Sequence, residues 1–76
     1  MNPRIFELKL DVIPTSVYII VANLISPGQV TTLDRIKPLY NGPPEALPGA
    51  LAELVRRGVL KEWPEGYELV SDEEWT

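Results

Sequence analysis

Ala50-Leu51-Ala52-Glu53-Leu54-Val55-Arg56-Arg57-Gly58-Val59-Leu60-Lys61-Glu62-Trp63-Pro64-Glu65-Gly66-Tyr67-Glu68-Leu69-Val70 is the stretch whose reading decides the fold. Apolar residues at 47, 50, 51, 54 and 55 follow the helical period. Arg56 and Arg57 fall in the last turn, where cations suit the helix dipole, and Gly58 is placed for a left-handed C-cap. The pattern then becomes strand-like. Val59-Leu60 and Tyr67-Glu68-Leu69-Val70 flank a Pro-Glu-Gly turn. The stretch therefore predicts a helix running straight into a β-hairpin.

Upstream, Asn41-Gly42-Pro43-Pro44 is a strong break. Pro48 fits the first position of a helix, so a short turn over 44–47 followed by a main helix over 48–57 is expected; one long helix over about 45–57, with Pro48 near its fourth position, is the alternative. Before the break, Thr31 or Thr32 can cap a helix over Leu33 to Tyr40. Thr31-Thr32-Leu33-Asp34 has capping-box spacing, with Asp in place of Glu. That helix presents Leu33, Ile36 and Tyr40, with Leu39 as a further candidate for its apolar side, and Pro38 should make its second half irregular. Ser26-Pro27-Gly28-Gln29 is a turn, after which Val30 adds a residue or two of strand.

Earlier still, Pro14 disfavours helix in the residue before it. Thr15 or Ser16 is then expected to cap a helix reaching Leu24 or Ser26, with Val17, Ile20, Val21, Leu24 and Ile25 as its buried stripe. Tyr18 and Ile19 widen the stripe, so burial on more than one side is expected. A strand over Val17 to Val21 is the alternative, because β-branched residues form helices poorly in isolation. Phe6, Leu8 and Leu10 alternate with Glu7, Lys9 and Asp11, the pattern of a half-buried strand over 5–10. Such an arm either closes over the core or pairs with a second subunit. Ser71-Asp72-Glu73-Glu74 is another capping box, followed by Trp75, and is expected to open a last helical turn or the start of a longer helix.

The chain has 76 residues and a formal charge of −4, with neither cysteine nor histidine. A domain this small buries only about 60–65% of its unfolded surface, so its stability margin is thin. No disulfide can staple it, and zinc would have to be held by carboxylates alone. No run approaches the length of a membrane span, and the first residues, Met-Asn-Pro-Arg, lack the layout of a secretory signal. A soluble, cytoplasmic protein is the expectation. Charge is unevenly placed: residues 31–44 carry net +1, whereas residues 58–76 carry net −5. The excess acid lies on the hairpin and tail, which weighs against sequence-independent DNA binding.

The order of arm, helix, turn, helix, break, helix and hairpin resembles the winged helix-turn-helix superfamily over about residues 15–70. The resemblance is carried by Thr31-Thr32-Leu33-Asp34-Arg35-Ile36, by Ala50 to Leu60 and by Trp63-Pro64-Glu65-Gly66-Tyr67. It implies an α/β fold of α+β type: three helices plus a C-terminal hairpin wing, preceded by an N-terminal strand or arm over 1–14 and followed by an acidic tail over 71–76. One departure concerns the recognition helix of that superfamily, which usually opens with polar groups. Here Pro43, Pro44, Ala46, Leu47, Pro48, Gly49 and Ala50 occupy that region.

Catalytic machinery is not evident. Ser16 and Ser26 have no base, there is no Gly-rich phosphate loop, and Glu73 and Glu74 read as a solvated acidic pair. Neither enzyme activity, cofactor, metal nor small-molecule substrate is expected. The leading expectation is a small winged-helix module acting by protein–protein contacts, as a homodimer or with a protein partner, in regulation or an assembly. Its candidate contacts are Phe6, Leu8, Leu10, Trp63 and Tyr67. The alternative is a DNA-binding transcriptional regulator using Arg35, Lys37, Arg56, Arg57 and Lys61. Trp63 and Tyr67 are also candidates for a cross-strand aromatic pair covering the core, and Lys61 is expected opposite an acid. Gly58 is expected at positive φ, and Gly66 is expected to tolerate asparagine.

Overall fold

Leu47–Arg56 forms an α-helix ending in a Schellman motif. The Val59 amide donates to the Leu54 carbonyl at 2.9 Å and the Gly58 amide to the Val55 carbonyl at 3.1 Å. Gly58 has φ +78°, the left-handed conformation that reverses the chain into the hairpin. The computed structural model describes residues 2–76, so residue 1 of the N-terminal arm lies outside the described residues. In chain order the elements are α1 (Val12–Leu24), β1 (Val30–Thr31), α2 (Leu33–Ile36), α3 (Leu47–Arg56), β2 (Leu60–Trp63) and β3 (Gly66–Leu69). Single 3₁₀ segments occur at Pro3–Leu8, Lys37–Leu39, Pro44–Ala46 and Asp72–Glu74. The result is a small α+β domain with a three-stranded antiparallel sheet in the order β1-β3-β2. None of the helices among the described residues is long and apolar enough to cross a membrane.

The core is one cluster. It joins Val17, Tyr18 and Val21 of α1, Ile36 of α2, and Leu47, Ala50, Leu51 and Leu54 of α3 to Val59, Leu60 and Leu69 of the hairpin. Ile5 from the first 3₁₀ segment completes it. Burying each of these large aliphatic side chains contributes about 2 kcal/mol. The periodic positions of α3 are therefore the buried ones, with Val55 half-buried at the edge. In α1, Val17 and Val21 lie in the expected stripe, while Ile20, Leu24 and Ile25 are only partly buried.

Two expectations fail at the N-terminus. Residues 5–10 do not form a strand: Pro3–Leu8 is a 3₁₀ helix, and no strand of the sheet pairs with it. A threefold period places Ile5 inward and leaves Phe6 56% exposed. The next helix starts at Val12, not after Pro14, and its N-cap is Asp11 rather than Thr15 or Ser16. Pro14 occupies the third helical position, where no amide is needed. The first internal donor is Thr15, whose amide reaches the Asp11 carbonyl at 3.1 Å. The strand alternative for Val17 to Val21 is also excluded, since those residues lie within α1.

Other boundaries follow the sequence closely. The break resolves into a 3₁₀ turn over Pro44–Ala46 and a helix from Leu47, one residue before the expected start. Pro38 ends α2 at Ile36, and the chain continues as the 3₁₀ turn Lys37–Leu39. Thr32 holds the N-cap position of α2 and Ser71 that of the last turn, but neither side chain makes a capping hydrogen bond. Thr31 belongs to β1, where it is buried opposite Tyr67.

Residues 71–76 are not a free acidic tail. Trp75 stacks edge-on against Tyr18, with ring centroids 5.4 Å apart, and its indole donates to the Val70 carbonyl at 2.9 Å. The Thr76 amide donates to the Arg57 carbonyl at 2.7 Å. Asp72 accepts a hydrogen bond from the Asn2 side chain at 2.9 Å and lies 3.5 Å from the Arg4 guanidinium. Both ends of the described chain are thereby drawn onto the same core.

Candidate protein-contact surfaces

The hairpin register sorts its side chains into two faces. Leu60 pairs with Leu69, Lys61 with Glu68, Glu62 with Tyr67, and Trp63 with Gly66. Residues directly opposite share a face, and successive residues alternate. Leu60, Leu69 and Tyr67 therefore look toward the core with Glu62, and Lys61, Trp63 and Glu68 look away. Trp63 and Tyr67 consequently lie on opposite faces, so the expected cross-strand aromatic pair does not form. Tyr67 packs against the core, whereas Trp63 is 41% exposed.

On the outer face Lys61 does stand opposite an acid, Glu68. Its ammonium lies 4.5 Å from the centroid of the Trp63 ring. The Trp63 indole in turn donates to Glu68 Oε1 at 2.8 Å. The Trp63 ring thus engages both members of the cross-strand Lys61–Glu68 pair. On the inner face the Tyr67 hydroxyl donates to Glu62 Oε2 across 3.5 Å. Burial first, and then the Glu62 carboxylate, holds the Tyr67 phenol above its ordinary pKa.

Between α3 and the hairpin runs a hollow of about 410 Å³ lined by Pro48, Ala52, Val55, Arg56, Glu62 and Tyr67. Pro48, Gly49 and Ala52 make up the exposed side of α3 before Arg56. Arg56 is itself engaged: its Nε donates to Glu53 Oε1 at 3.1 Å, and its Nη2 bonds the same oxygen. That hydrogen bond and the accompanying charge attraction raise the Arg56 pKa further. Glu53 also lies 3.9 Å from Arg57. One carboxylate thus faces both arginines of the helix end.

Arg57 is turned inward along the surface. Its Nε donates to the main-chain oxygen of Thr76 at 2.7 Å and its Nη2 to the Leu8 carbonyl at 3.2 Å. It ties the N-terminal segment, α3 and the last residues together. Arg35 and Lys37 are exposed and make no ion pair among the described residues. Arg35 borders a separate hollow with Leu24, Ile25, Val30, Thr31 and Thr32. The five candidate cations therefore do not line one groove. Leu8 and Leu10 are half-buried against the core, and Phe6 projects to solvent.

One surface was not anticipated as a contact. Val12, Ile13, Ser16, Ile19 and Ile20 of α1 line a hollow of about 370 Å³ with Leu39 to Gly42. Val12 is 79% and Leu39 49% exposed. The signal was present in the sequence as an uncharged run from Val12 to Leu33. Helical periodicity alone assigns such side chains to a core.

No family model matches this chain, and no curated protein or solved structure matches it significantly.

Proposed function

We propose that this chain is a small winged-helix module that works by protein–protein contacts, including contact with its own kind, in regulation or an assembly. The winged-helix reading rests on the element order α1-β1-α2-α3-β2-β3 and the strand order β1-β3-β2. In it α3 takes the recognition position and Lys61 to Tyr67 the wing. The observation that carries the protein-contact reading is the solvent side of α3. It offers Pro48, Gly49 and Ala52, and its cation Arg56 is bonded to Glu53. Methylene and methyl groups at the head of that helix have no donors to place against base edges. Glu62 and Glu65 on the neighbouring hairpin are exposed, and would face phosphate if α3 entered a groove.

A second reading, a DNA-binding regulator, is favoured by Arg35 and Lys37, which are exposed and free of ion pairs among the described residues. Titration of labelled duplex DNA at several salt concentrations separates the two. The protein-contact reading predicts no binding that steepens as salt is lowered. Binding with a pronounced salt slope, reduced in Arg35→Ala with Lys37→Ala or in Arg56→Ala with Arg57→Ala, establishes the second reading instead.

A further inference from the structure

We infer that the uncharged face of α1, together with Leu39 and Tyr40, is where a second copy of this chain docks. The inference rests on the protein-contact reading and names the surface through which self-contact occurs.

Charge selects the occupant. The sequence holds eleven acidic against seven basic residues, yet none of either kind between Val12 and Leu33. Two copies meeting through their hairpins would bring Glu62 and Glu65 of each together, and meeting through the last turn would oppose Asp72, Glu73 and Glu74. Like charges brought together in this way oppose association. The residues lining the α1 hollow bring no charge of their own to such a contact. A nucleic acid or a strongly basic partner would find no ionic group among the residues lining this hollow to pair with.

Shape points the same way. The side of α1 carrying Val17, Tyr18 and Val21 is spent on the core, while Ile13, Ile19 and Ile20 are only partly covered. A helix apolar on nearly every side is ordinarily buried on nearly every side. The α1 hollow is lined both by the exposed Val12 and Leu39 and by the half-buried Ile13, Ile19 and Ile20. Knob and recess on one surface are what a two-fold contact requires, because each copy must supply both. The hollow, about 370 Å³, has room for a projecting aliphatic side chain.

Area sets the strength. A stable dimer buries roughly 800 Å² per partner, about one sixth of this chain's 4766 Å² of accessible surface. At 13 residues α1 is only about 20 Å long. The contact therefore belongs to the small, reversible class, and self-association is expected at micromolar concentration or above.

Sedimentation velocity of the full chain across a micromolar-to-millimolar series tests this. Leu39→Glu and Val12→Glu change exposed side chains, and a carboxylate suits the first turn of α1. Far-UV circular dichroism verifies that both remain folded. Phe6→Gln and Trp63→Gln serve as the comparison, on the arm and the hairpin. The inference predicts a concentration-dependent dimer in the parent, Phe6→Gln and Trp63→Gln chains, weakened at least tenfold in the two glutamate variants. A dimer that survives both glutamates, or is lost only in Phe6→Gln or Trp63→Gln, overturns the assigned face while leaving self-contact standing. A parent chain that stays monomeric throughout overturns self-contact as well.

Discussion

Gly58 and Gly66 bracket the hairpin, and each combines a positive φ with a close backbone neighbour. At Gly58 the backbone is left-handed, φ +78°, and a built Cβ would lie 2.6 Å from the Glu74 carbonyl oxygen. Gly58→Val is expected to cost about 1–3 kcal/mol through backbone strain alone. At Gly66, φ +156°, the backbone is also unfavourable for a side chain, and space is the tighter constraint. A Cβ there would stand 2.1 Å from the Thr31 carbonyl oxygen, part of the backbone of β1. The expectation that Gly66 tolerates asparagine is therefore corrected: any side chain pushes β1 away from β3. Thermal melts should rank Gly66→Ala below Gly58→Ala, with the parent highest. A Gly58→Val melt coincident with the parent would contradict the helix-to-hairpin junction. The reason for Gly66 was not legible in the sequence, because the atom it accommodates lies 35 residues upstream.

At the scale of elements, α3 and the hairpin were legible because their side-chain period, cap and turn residues agree with their tertiary setting. The irregular second half of the α2 region was legible too, since Pro38 lacks the amide a regular helix needs. The N-terminal segment was not. Alternation at Phe6, Leu8 and Leu10 gives a strand pattern, but a strand needs a partner, and the sheet provides none there. The last turn at Asp72–Glu74 and the solvated Glu73 and Glu74 were legible, but the attachment of these last residues to the core was not, because charge dominates the stretch. One ring, Trp75 on Tyr18, together with the Arg57 hydrogen bonds, is enough to fasten them. Trp75→Ala should remove that fastening and cost about 2 kcal/mol, below the range for a fully buried aromatic because Trp75 is only half-buried. Chemical denaturation should record the loss with helical circular dichroism unchanged. An unchanged midpoint would mean that the segment contributes nothing to the core.

For the whole molecule, the distribution of charge decides more than its total. The acid concentrated in residues 58–76 was visible in the sequence, as was the apolar start of α3. The candidate site was legible only in part. Sequence reading named Arg56, Arg57 and Lys61 by their positions, but their partners Glu53, Thr76, Leu8 and Trp63 appear only once the chain is folded. It treated α1 as interior, whereas folding leaves Val12, Leu39 and the flank of α1 uncovered. Amide proton–nitrogen spectra of the full chain, followed through serial dilution, report self-contact residue by residue. Concentration-dependent shifts are expected only over Val12 through Ile20 and Leu39 through Gly42. Spectra that do not change with dilution would contradict self-contact.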